Sequence, residues 1–152
     1  MTNDPEYTLI VSHAERAIVG IAVRKPRVWK QICHIRPEWF RTWNMQTIWR
    51  GLLHCYDLNG GLAELCVLTD WFKQNCDESE IEGLLQELVS CADEYLHAEF
   101  LEYFLGLLEH AGIRLAIERW AGHLVEMNRA GRPLKDLIEA VLSPPISERG
   151  AA

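Results

Sequence analysis

The chain has no apolar run approaching the ~18 residues that would suggest a membrane span, although 49% of its 152 residues are hydrophobic. Its opening, MTNDPEYT, shows no basic stretch leading into an apolar one. No secretory leader is therefore expected, and the chain reads as a soluble, cytoplasmic domain with no tie to a membrane. The five cysteines, at 33, 55, 66, 76 and 91, are odd in number and widely separated, and no C-x-x-C occurs. That excludes the usual zinc and redox spacings and leaves small buried hydrophobes as their reading. His34 beside Cys33 and His54 beside Cys55 do not share an ion, because adjacent residues on a helix point apart. The six histidines are scattered, and His97, His110 and His123 recur at intervals that turn each by about 140° from the last. Acid pairs such as Asp77-Glu78 and Asp93-Glu94 fall in loops or helix starts, where the helix dipole favours them. No catalytic residue, cofactor or metal is expected.

Charge of one sign is scarce in each half. Residues 13–50 hold eight Lys/Arg against two Asp/Glu, whereas residues 51–110 hold one against thirteen, within a net charge of −7. Two accounts stand: charges spread over solvated helices, or a basic face for an acidic partner opposite an acidic face that repels nucleic acid. The basic residues are Arg16, Arg24, Lys25, Arg27, Lys30, Arg36 and Arg41, with Trp29, Trp39 and Trp43 interleaved. That pattern defines a nucleic-acid-binding alternative.

Proline is rare and punctuates a helical pattern. In SHAERAIVG, Ser12, His13 and Glu15 invite comparison with a hydrolytic triad, but Ser12 and His13 cannot face each other on a helix. The spacing instead predicts a capping box, Ser12 with Glu15, before a helix ending near Arg24-Lys25. Pro26 starts a second helix with Val28, Trp29, Ile32 and Cys33 inward. PEWF is a short turn anchored by Trp39 and Phe40. A third helix runs from Thr42 to about Leu58 with Trp43, Met45, Ile48, Trp49, Leu52, Leu53 and Tyr56 apolar, ended by Asn59-Gly60-Gly61. LAELCVLTDWFKQN, with Leu62, Leu65, Cys66, Leu68, Thr69 and Phe72 inward, and IEGLLQELVSCA supply the fourth and fifth.

From about Leu96 to Asn128 no proline interrupts, and the run far exceeds a mean helix. Leu101, Leu105 and Leu108 form one stripe, and Ile113, Ile117, Trp120, Leu124 and Met127 a second. The twelve residues from 101 to 113 leave the second rotated by about 120°, with the change at His110-Ala111-Gly112. After Ala130-Gly131-Arg132-Pro133, LKDLIEAVL forms a last helix offering Leu134, Leu137, Ile138 and Val141. The expected fold is all-α: a compact bundle of about five short helices (1–96), then a long helix paired with the last helix as a hairpin (97–142). Residues 143–152, opening on Ser143-Pro144-Pro145, read as a tail or the start of a linker. A two-helix hairpin cannot bury its own stripe. It therefore either meets another chain, most economically a two-fold copy, or folds back on the first five helices.

These segments, in this order, resemble the N-terminal collar domain of DnaB-type replicative helicases. AERAIVG (14–20) resembles the family's A-E-x-A-hydrophobic-hydrophobic-G opening, PRVWKQI its second helix and PEWF its P-E-x-F turn. NMQTIWRGLLHCYDLNG resembles the helix that ends in a glycine turn, LAELCVLTDWF its L-x-x-L-A-x-x-L helix and GLLQELVSCA the segment before the long helix, and the long helix with LKDLIEAVL resembles its hairpin. The chain departs from the family in carrying LIVSH where a Pro-Pro pair is common, in a less arginine-rich middle of the long helix, and in a shorter last helix closed by two prolines. The resemblance implies a non-catalytic self-association and protein-interaction module of DNA replication. In the family, this domain dimerises through the hairpin, assembles as a trimer of dimers and docks primase. The self-association residues it implies here are Ile113, Ile117, Trp120, Leu124, Met127, Leu134 and Ile138. No G-x-x-x-x-G-K-[ST] occurs, so no P-loop ATPase lies within this chain. It is expected to be the non-catalytic part of a helicase or a free-standing regulator with the same fold.

Overall fold

In a computed structural model, residues 5–59, 64–94 and 99–144 are described. They hold seven α-helices and no strand, which is the all-α fold the periodicity predicts. The helices are α1 (Pro5–Arg24), α2 (Trp29–Ile32), α3 (Trp43–Asn59), α4 (Leu65–Asn75), α5 (Glu78–Glu94), α6 (Leu101–Arg129) and α7 (Leu134–Val141). Single 3-10 turns at Pro26–Val28 and Pro37–Trp39 surround α2. Expectations for Gly60-Gly61, Leu62, Leu96, His97 and the tail from Pro145 fall outside the described residues. The chain divides into two compact units, Met1–Glu109 and His110–Ala152. The division lies inside α6, next to His110-Ala111-Gly112, where the sequence pattern changes its apolar stripe; the expected boundary between residues 96 and 97 falls outside the described residues.

The first unit is a helical head centred on α1, which lies closest against α5. The helix starts at Pro5, not beyond Ser12. Proline is tolerated in a first turn, Glu6 complements the dipole there, and no breaker intervenes before Arg24. Ser12 is therefore an interior helical residue and caps nothing. Glu15 joins Val11, Ala14, Ile18 and Ala22 among the buried residues of α1. The helix ends before Pro26, as the restriction on the residue preceding proline requires.

The core gathers Ile18, Ile21, Ile32, Ile35, Phe40, Ile48, Trp49, Leu52, Phe72, Leu84 and Leu108. Its polar tips are satisfied. Trp49 Nε1 donates to the Ile35 carbonyl (2.8 Å), and Tyr56 Oη donates to the Ala22 carbonyl (2.5 Å), one of the carbonyls that the end of α1 leaves open. Trp39 and Phe40 are buried anchors, as expected. Thr42 caps α3, its Oγ1 accepting from Met45 N–H (3.2 Å). The rest of the third-helix stripe is inward, but Trp43 stays half-exposed. In α4 the inward pair is Leu68 and Phe72, while Leu65 and Cys66 face solvent. The first stripe of α6 packs on this core: Leu101 and Leu108 are buried, with Phe104 and Leu105 half-buried beside them.

The second unit is the hairpin. Gly131, at φ +69°, takes the left-handed position that stops α6, and Arg132 N–H bonds back to the Met127 carbonyl (3.2 Å), the usual glycine-terminated end. Trp120 Nε1 then donates to the Ala140 carbonyl (3.0 Å), tying α7 to α6.

Candidate interaction surfaces

The hairpin buries little within itself. No residue of α7 is buried. Leu134 is 71% exposed, Ile138 50% and Val141 52%. Leu134 and Ile138 lie one turn apart, so they share a face. On α6, Ile113, Trp120, Leu124 and Met127 are half-buried and Ile117 is 39% exposed. All seven residues expected on this surface belong to the one unit, and they leave apolar side chains open to solvent. Trp120 is also a structural residue of the hairpin, since its indole N–H holds α7 in place.

The basic segment does not act as one set. Arg16 and Arg24 are engaged with α5. Arg16 reaches Ser90 Oγ (2.7 Å) and Glu94 (3.3 Å) and lies 3.8 Å from Glu87. Arg24 bonds the Ala92 carbonyl (2.9 Å) and Asp93 (3.1 Å). Arg41 lies over the Tyr7 ring at 5.4 Å. That leaves Lys25, Arg27, Lys30 and Arg36, which make no ion pair with a described residue. The interleaved tryptophans are largely engaged too: Trp39 is buried, and Trp29 stacks on Tyr56 at 3.9 Å and 8°. Only Trp43 of the three keeps an open face.

Glu15 is the charged residue that sequence reasoning misplaces. Its side chain is 2% exposed and accepts the Arg41 backbone N–H at 2.7 Å. Burial pushes its carboxyl up to about 7; the Arg41 N–H and guanidinium pull it down, and Glu87 adds to the rise. The signal was present in the sequence: Glu15 sits at helical spacing with Val11, Ile18 and Ala22, but S-x-x-E before an apolar run looks the same as a cap. Arg41 Nε is buried with no hydrogen-bond partner among the described residues.

The cysteines are free, with Cys55 and Cys91 buried, Cys76 half-buried, and Cys33 and Cys66 exposed. Burial raises the Cys91 thiol to about 11, with Glu87 and Glu94 adding to the rise against Arg16. A thiol held that high is a poor nucleophile. The buried-hydrophobe reading thus holds for two of the five. Among the described residues no three His, Cys, Asp or Glu side chains are grouped to hold a metal ion, and no helix is long and apolar enough to cross a membrane. His13 packs near Phe104 at 5.7 Å, and His34 meets Glu109 at 2.9 Å. Compared with protein-family models, the chain matches none, and no curated protein is significantly similar to it.

Proposed function

We propose that this chain is a non-catalytic interaction module that associates with a second copy of itself through the α6–α7 hairpin. Its role would be that of the replicative-helicase collar it resembles, with a replication protein such as primase as its further partner. One observation carries the reading: α7 presents Leu134, Ile138 and Val141 to solvent on a helix with no buried residue. A strongly amphipathic helix left this open costs free energy that a self-complementary partner recovers.

Light scattering at tens of micromolar tests it. The wild-type chain is expected at a multiple of its 17.5 kDa mass, and Leu134→Asp combined with Ile138→Asp is expected at the monomer mass with unchanged helix content. A monomeric wild type sinks the proposal. Trp120→Glu is the weaker probe, because it also removes the bond to Ala140.

A further inference from the structure

The outer side of the head carries a groove of about 1080 Å³ along α5, with Lys73 of α4 at its edge. Its floor is a second apolar stripe on α5, Ile81, Leu85 and Val89, set one turn apart on the flank of the buried Leu84 and Leu88. Ile81 and Leu85 touch the core while keeping part of their surface open, and Val89 is 50% exposed. The rim is acidic: Glu78 and Glu82 at one end, Asp93 and Glu94 at the other, against the single Lys73. Asp93 pairs with Arg24 and Glu94 with Arg16, whereas Glu78 and Glu82 make no ion pair with a described residue, so the carboxylates open to an incoming cation are those two.

We propose that this groove receives a basic amphipathic helix of a partner protein. Residues spaced by four form a ridge along a helix, and such a ridge packs into the groove of another helix. The stripe from Ile81 to Val89 spans about 12 Å, which a helix of roughly three turns covers. Charge complementarity selects the occupant. Lysines or arginines flanking the incoming apolar stripe meet the Glu78/Glu82 end and are steered to it, whereas an acidic helix is repelled. The surface uses no residue of the hairpin, so it stands or falls apart from self-association.

The probe is a fluorescein-labelled helical peptide built from leucine, alanine and lysine with the leucines on one face. Its controls are the same residues in scrambled order and a version with glutamate for lysine. The wild-type chain is expected to bind the ordered basic peptide at least about tenfold more tightly than either control, with affinity falling as salt rises. Amide NMR shifts on adding the peptide are expected to concentrate on residues 78–94. Glu78→Lys with Glu82→Lys, both exposed, should reverse the preference toward the glutamate peptide, and Val89→Asp should weaken binding of both. Equal binding of ordered and scrambled peptides, or shifts centred outside α5, overturns the proposal. So does loss of self-association in the α5 variants, which would assign the groove to a second copy. The wild-type shift map decides the matter even if a variant fails to fold.

Discussion

Glu15 shows how a single residue changes meaning between chain and fold. On an exposed first turn it would be an ordinary carboxylate at a cap; inside α1 it is a carboxyl raised from 4.5 to about 7 by burial. The linkage follows from the sign. A folded state that holds the proton more tightly than the unfolded chain is favoured at low pH, so this contribution is complete below about pH 4.5 and is lost as pH rises through about 7. The difference amounts to about 3 kcal/mol. Glu15→Gln keeps an oxygen for the Arg41 N–H and removes the titration. Urea unfolding from pH 5 to 8 is therefore expected to show wild-type stability falling and the variant's nearly flat; parallel curves would contradict the buried carboxyl.

At the scale of elements, close approach is set by what a helix omits. A Cβ at Gly51 of α3 would stand 2.5 Å from Leu68 Cδ1, 3.2 Å from Trp71 Cε3 and 3.3 Å from Phe72 Cε1. Leu68 and Phe72 are themselves buried, so neither has room to give way. Gly51→Val is expected to cost about 2 kcal/mol by overpacking. Gly83 of α5 has nothing within 4 Å of the corresponding point, and Gly83→Ala should stabilise by about 0.5–1 kcal/mol through helix propensity alone. Thermal melts of the two variants moving in opposite directions would establish that α3 and α4 meet at Gly51. Most element boundaries were legible in the chain. Pro26, Pro37 and the Gly131-Arg132-Pro133 turn stop or start helices by sterics that act over one or two residues. The inward faces of α4 and the extension of α1 back to Pro5 were less legible. Leu65 and Cys66 fit a helical stripe as well as Leu68 and Phe72 do, and a polar N-terminal turn with proline resembles a loop.

At the scale of the whole molecule, what matters is which apolar surface is left over. The head closes around Trp49, Phe40 and Phe72; the hairpin unit leaves α7 without a buried residue. If the hairpin self-associates, folding is linked to association, and the melting temperature rises with protein concentration by mass action. Scanning calorimetry over a hundredfold concentration range is expected to show that rise for the wild type and none for Leu134→Asp with Ile138→Asp. A concentration-independent melt in the wild type would argue against the association. Of the seven basic residues that suggested a nucleic-acid face, Arg16 and Arg24 are bound to α5 carboxylates. The chain's charge asymmetry is thus partly spent inside the head, holding α1 to α5.

The sequence by itself determined the all-α class, the proline and glycine stops, and the change of stripe at His110-Ala111-Gly112. These depend on backbone sterics and on the 3.6-residue period, both of which act within a few residues. Only the tertiary structure decided that Glu15 is buried, that Arg16 and Arg24 serve α5, and that Ile81, Leu85 and Val89 form an open floor while Leu84 and Leu88 do not. Periodicity says that a helix has an apolar side. Which of two adjacent stripes meets the core, and which carboxylate meets which arginine, is set by helices that lie far apart in the chain and next to each other in space.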